Sequence, residues 1–386
     1  MLRALRAFMK NRATWTGILA AFMFQLVFGV VWMTGYDGVT DRTANLKVAV
    51  VNEDQEMGSL VVDRLGRNLP FGIVTVDLPE QAMNMLNDRD VQMVLHIPPD
   101  FSSQLQVPGG QASLKYWINE SNPSMIKSIM QSVASQVTAA VDKQAIAAGA
   151  EAILTPMNVP ADRAKEIAAA LSERVVSDIR FTNPVQGMAN QMLPMMMVLA
   201  SYVGSMIMAM NIQQSSQAIG SAVTAWQKFG ARAVINVVSA IVIALFAASL
   251  ILMLGGQANS GFMALWGFLS LILMSFMFFA QLFLLLFGFA GMLFNITALS
   301  AQLVSSGAMV PRELLSGFYR HLGDWLPATY AVEGSMNLLF GGSSPAGPAW
   351  LLAAFAAGSL ALGAVITALR SDTGRTNAPA AETKLA

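Results

Sequence analysis

The chain has 386 residues, 55% hydrophobic and 12% charged, with a formal net charge of +0 and no cysteine. A soluble domain carries about 25% charged residues, so this composition argues against an ordinary soluble enzyme and fits a polytopic membrane protein. The missing cysteines remove thiol catalysis, cysteine metal sites and disulfides.

Charge is unevenly spread. Residues 1–36 hold Arg3, Arg6, Lys10 and Arg12 and no acid, whereas residues 37–180 hold 12 cations against 18 acids. A segment with that acidic excess is not a nucleic-acid binder.

At the amino end, residues 1–12 place Leu2, Leu5, Phe8 and Met9 on one helical face and Arg3, Arg6 and Lys10 on the other. This predicts a cytoplasmic amphipathic helix lying in the membrane interface, or a plain basic flank. A first span follows within residues 13–36, with Thr14–Thr34 as its apolar run. About 20 apolar residues cross the hydrocarbon. The run is long for a signal peptide and no small-residue cleavage site closes it, so it reads as a retained anchor.

Residues 37–183 change character. Four β-rich runs, at 46–52, 72–78, 91–97 and 113–119, read as strands. Helical spacing separates them, which predicts an α/β domain with a mixed or parallel sheet. Asn122 as a cap and Pro123 at the first position open a long helix to about Ala150. A second helix is expected at about 160–178.

The membrane pattern then resumes with a second span at 184–210 and a polar, helix-capable cytoplasmic loop at 211–232. Residues 233–311 contain no Asp, Glu, Lys or Arg over 79 positions, and residues 233–310 are divided into three spans. Residues 311–349 are polar and broken by Pro311 and Pro327, a sixth span covers 350–369, and 370–386 is a tail. The expected fold is a polytopic α-helical membrane protein with six transmembrane helices and an extracytoplasmic α/β domain between the first two. Lys and Arg in short loops put the amino end, the 211–232 loop and the tail in the cytoplasm.

The local sequence resembles that of ABC-2 type permeases, within them the YhgE/Pip-like group. The matching segments are "VAVVNEDQEMG" (48–58), "VLHIPPDFSSQL" (94–105), "NPVQGMANQMLPMMMVLASYVGSMI" (183–207) and "LVSSGAMVPRELLSGFYRHLGDWLPATYAVEG" (303–334). Many members carry a longer external insertion, and the return segment here reads "QGMANQML" in place of the usual Gly and Tyr. The resemblance implies short re-entrant helices before the last span, so 311–349 reads as an outer gate. Its candidate residues are Pro311, Arg312, Glu313, Trp325, Pro327, Tyr330 and Glu333. The alternative is an external loop anchored at the interface by Trp325 and Tyr330.

Chemistry is sparse. As drawn, the spans hold no ionisable side chain, which argues against a proton- or ion-driven carrier. No G-x-x-x-x-G-K-[ST] loop occurs, so no cofactor is expected in this chain. ATP and Mg belong on a separate ABC ATPase subunit. Its docking site is expected at Gln213, Gln214, Trp226, Lys228 and Phe229, with plain interfacial anchoring as the alternative. A charge or proline at Ala225–Trp226 is expected to uncouple the two. His96 and His321 are the only histidines. His96, in an apolar strand, reads as structural, and His321 beside Asp324 as a group that could titrate. The Asn119-Glu-Ser121 sequon reads as chance. The methionines at 188–210 read as packing or lipid-facing residues, or as a soft path for greasy cargo.

The expected function is the permease subunit of an ATP-binding cassette exporter for an amphipathic or lipid-like substrate or drug. It is expected in a bacterial plasma membrane, as a homodimer or a heterodimer with a similar permease. Membrane lipids are expected partners, as is an envelope partner at residues 37–183, and nucleic acid is not. The alternative is a non-transporting scaffold or receptor, such as a secretion accessory or a phage-receptor-like protein.

Overall fold

A computed structural model describes residues 31, 34–39, 41–54, 56, 58–59, 61–62, 71–107, 110–154, 174–219 and 223–376. The expected amphipathic helix at 1–12, nearly all of the first span, and residues 160–173 of the expected second helix lie outside these.

Five strands form one sheet: β1 (Lys47–Asn52), β2 (Gly72–Thr75), β3 (Met93–Ile97), β4 (Ala112–Asn119) and β5 (Val175–Thr182). The order is β2-β1-β3-β4-β5, parallel except for the antiparallel β3–β4 pair. Interior β1 reads KVAVVN, apolar in succession, as suits a strand covered on both faces. Its alternation sends Val48 and Val50 to one core, with Leu95, Leu114 and Tyr116. Ala49 and Val51 enter the opposite core beneath α1 (Pro79–Asn87). The first core is closed by α2 (Phe101–Gln106) and by the long α3 (Ser124–Leu154).

β5 corrects the helix expected to about residue 178. The helix-forming run "DRAKEIAAALSER" leads straight into "VVSDIRFT", whose β-branched start pairs in parallel with the whole of β4. As an outer strand it is largely solvated, so no apolar alternation marks it.

The remaining elements are helical. They are α4 (Gly187–Ala218), α5 (Ala225–Met253), α6 (Phe262–Phe287), α7 (Gly291–Ser305), α8 (Gly317–Asp324), α9 (Pro327–Phe340) and α10 (Ala346–Thr376). Four helical runs among the described residues are long and apolar enough to cross a membrane: Gly187–Ala218, Ala225–Met253, Phe262–Ser305 and Ala346–Arg370. The expected division of 233–310 into three segments is matched by three helices, α5, α6 and α7, with the last break at residues 288–290. The 44-residue run doubles back at Gly288 (φ +60°), so that Asn295 Nδ2 donates to Ala280 O at 3.0 Å. Phe294 then stacks on Phe287 with ring centroids 4.4 Å apart. A Cβ on Gly291 would lie 2.3 Å from Phe283 O, so the turn needs glycine. The 15 residues of α7 reach about 22 Å, short of the roughly 30 Å hydrocarbon.

Helix α6 is the hub, packed by α4, α5, α7, α9 and α10. Its run is 61% buried over the most apolar window, against 22% for those of α5 and α10. Helix α5 shows why: Asn236, Ala240, Ala244 and Ala248 form its buried stripe, while Val234, Val238, Val242 and Phe246 face outward. Small residues at every fourth position let helices approach closely in a membrane.

The polar stretch at 211–232, expected to be helix-capable, is helical at both ends. Residues 211–218 continue α4 and 225–232 belong to α5. Thr224 caps α5 through a reciprocal pair with Gln227, a capping box.

Candidate functional site

At one end of the helices the sheet domain is locked onto the segment after α7. Val304, Val310, Leu314, Leu315 and Tyr319 belong to the same core as Leu95 and Tyr116. Arg42 Nε donates to Leu314 O at 2.6 Å, and Asn45 Nδ2 to Glu313 O at 2.9 Å.

Between the domain and the helix ends lies a cleft of 270 Å³. Ligand pockets run about 300–1,000 Å³, so it has room for a small polar group. Asp88, Arg89, Asp90 and Asn122 line its domain side, and Pro311, Arg312, Glu313, Arg320 and Glu333 the other. Four of the seven expected gate residues, Pro311, Arg312, Glu313 and Glu333, are thus brought together. The other three are elsewhere. Trp325 is 78% exposed, Pro327 is buried at the first position of α9, and Tyr330 donates to Asp324 O at 2.9 Å.

Arg89 is the residue that sequence reasoning missed. It follows α1 in the left-handed region, φ +63°, a conformation uncommon for any residue but glycine. Its guanidinium donates to Ser121 Oγ at 2.9 Å and to Asn337 Oδ1 on α9, while its Nε is buried without a partner. Burial pushes its pKa below the usual value, and the carboxylates of Glu333, Asp88 and Glu313 oppose that shift. Arg312 pairs with Asp324. The cleft therefore offers fixed charges of both signs.

His321 does not pair with Asp324: its Nδ1 lies 2.7 Å from Gly317 O. His96 Nε2 lies 2.7 Å from Glu53 Oε2, a contact within the domain. Asn119 is fully buried, bonding Leu86 O at 3.0 Å and the Ser121 amide and hydroxyl, so its sequon is a structural turn. No group of three or more His, Cys, Asp or Glu among the described residues is placed to hold a metal. The methionines divide: Met188, Met192 and Met196 are exposed, while Met197 and Met206 are buried.

At the opposite end, the candidate coupling residues cluster only in part. Gln213 Oε1 accepts from Arg232 Nη2 at 2.8 Å, and Lys228 Nζ donates to Ser216 O at 3.0 Å. Trp226 packs edge-on to Phe229, with centroids 6.1 Å apart, and is 50% exposed. Gln214 is exposed, and no bond ties it to the others.

A family model described as "ABC-2 family transporter protein" matches residues 12–365. The chain belongs to the ABC-2 transporter family. Members are in general non-catalytic membrane subunits that work with a separate ATPase. A crystallised domain assigned to an ABC type-2 transporter from Thermotoga maritima MSB8 is 19% identical, with TM-score 0.27, covering 35% of this chain and 86% of that one. No curated protein matches the chain. As an ABC-2 family chain with four apolar helical runs, it is a multi-pass membrane protein.

Proposed function

We propose that this ABC-2 family chain is the permease subunit of an ATP-binding cassette exporter in a bacterial plasma membrane. It moves an amphipathic or lipid-like substrate outward. One observation carries the reading: none of the four apolar runs contains an Asp, Glu or His. Proton- and ion-driven carriers usually bury such groups to bind and relay ions, and their absence from these runs favours a partner that binds ATP and Mg as the energy source.

In this proposal the chain has six spans. The first comes from residues 13–36, and α7 completes the fifth together with the segment that follows it. Residues 37–183 stand outside the cell, and 311–349, containing α8 and α9, form the outer re-entrant gate. The charged cleft is where cargo meets the external domain. Trp226, Phe229 and Lys228, with Gln213 and Gln214, receive the ATPase. Two copies, or one copy and a similar permease, enclose the path. The segment matches at 48–58 and 94–105 favour the YhgE/Pip-like group within the family.

Co-purification in mild detergent tests this reading. A stoichiometric P-loop ATPase is the expected companion. Secretion-machinery components without such an ATPase would replace the proposal with the scaffold reading.

A further inference from the structure

At the helix ends far from the sheet, a second cavity of 140 Å³ opens between the end of α4, the start of α5, the end of α6 and the end of α10. Three cations line it: Lys228, Arg232 and Arg370. No Asp or Glu is among its lining residues within the described part of the chain. Lys228 and Arg232 are four apart on α5 and so share one face. Arg370 arrives from α10, with Nη2 donating to Leu286 O at 2.7 Å.

Arg232 is the decisive group. It is 7% exposed, its Nη2 is taken by Gln213, and its Nη1 is buried with no partner. A buried cation with an unsatisfied donor is costly unless an anion supplies the missing bond. The guanidinium fork suits the paired oxygens of a phosphate. Phe229, Leu285 and Ile366 supply apolar wall beside the hydroxyls of Ser216 and Thr367, as suits a site at the edge of the hydrocarbon. Basic pockets between membrane helices attract anionic headgroups.

We propose that this cavity binds a phosphate group, held by Arg232 with Lys228 and Arg370 around it. The volume is well below the roughly 300 Å³ of a drug-sized pocket, so the site holds a headgroup rather than transported cargo. The inference requires only that the helices span a membrane, so its test is separate from that of the transport reading.

The test uses the full chain in a neutral detergent, with binding followed by native mass spectrometry. The probes are phosphatidylglycerol, phosphatidylcholine with the same acyl chains, and inorganic phosphate. Phosphatidylglycerol is expected to bind at least about tenfold more tightly than phosphatidylcholine, and R232Q to abolish that preference. K228Q, which alters a half-buried side chain at the rim, is expected to weaken the preference in a folded protein even if R232Q fails to fold. Competition by inorganic phosphate would support the site and give its source as soluble phosphate. Binding of phosphatidylglycerol without such competition would support it as a lipid site. Equal binding of the two lipids with no phosphate binding would overturn the proposal, as would a preference that survives unchanged in folded K228Q and R232Q.

Discussion

Asp54 shows how one side chain organises the sheet domain. It is buried, and burial alone would raise its pKa. Hydrogen bonds from the Ser102 hydroxyl (2.6 Å) and from the amides of Ser102 (2.8 Å), Gly58 (2.9 Å) and Glu56 (3.1 Å) outweigh that and hold it below the usual carboxylate value. A depressed carboxylate stabilises the fold above its unfolded pKa of about 3.9, and the contribution is lost as pH falls through the folded pKa. An acid titration followed by tryptophan fluorescence should therefore show the domain weakening below about pH 4. D54N should lower stability at pH 7 and remove that part of the acid dependence. Arg89 ties the same domain to α9. R89A removes its bonds to Ser121 and Asn337 and should cost about 2 kcal/mol in a thermal melt. Neither role was legible in sequence. "NDRD" (87–90) looks like any charged turn, and the partners of Arg89 lie 32 and 248 positions away.

Helix α9 lies in the stretch that the sequence marks as polar and broken by Pro327, and twelve of its fourteen residues are buried. Val332, Met336, Leu338, Leu339 and Phe340 join the helical core, and close approach adds to that packing. A Cβ on Gly334 would fall 2.1 Å from Phe268 Cζ on α6. G334A should therefore force the two helices apart and cost about 1–3 kcal/mol, read as a lowered melting temperature in detergent. Helix α5 carries the opposite lesson. Thr224 is its cap, which makes Ala225 the first helical residue, where proline is well accommodated. Proline there would not break the helix. Trp226 is the informative position, because an acid in the first turn favours the helix while removing the exposed ring. Thus W226E should leave stability within about 0.5 kcal/mol of wild type, read as a nearly unchanged melting temperature, and act only on what Trp226 contacts.

Across the whole molecule, local period was legible and long-range assembly was not. The first four strands, the long helix after Pro123 and the apolar runs follow from alternation and helical spacing. The outer strand β5 and the charged cleft depend on pairings between distant segments, which periodicity does not encode. Orientation relative to the membrane can be tested simply, since the chain has no cysteine. Ser103 in the domain and Ser215 near the end of α4 are both exposed. Single cysteines at these two positions should behave oppositely with a membrane-impermeant maleimide. S103C should label in intact cells and S215C only after permeabilisation; the reverse pattern would invert the topology.

The central claim is that this membrane subunit is driven by ATP hydrolysis on a partner chain. The most direct measurement is vanadate-sensitive ATP turnover by the co-purified complex in lipid vesicles, compared between wild type and W226E. Turnover well above that of the ATPase alone, and at least about tenfold lower with W226E than with wild type at equal complex stability, is the predicted result. An ATPase that turns over at the same rate with and without this chain would contradict the account.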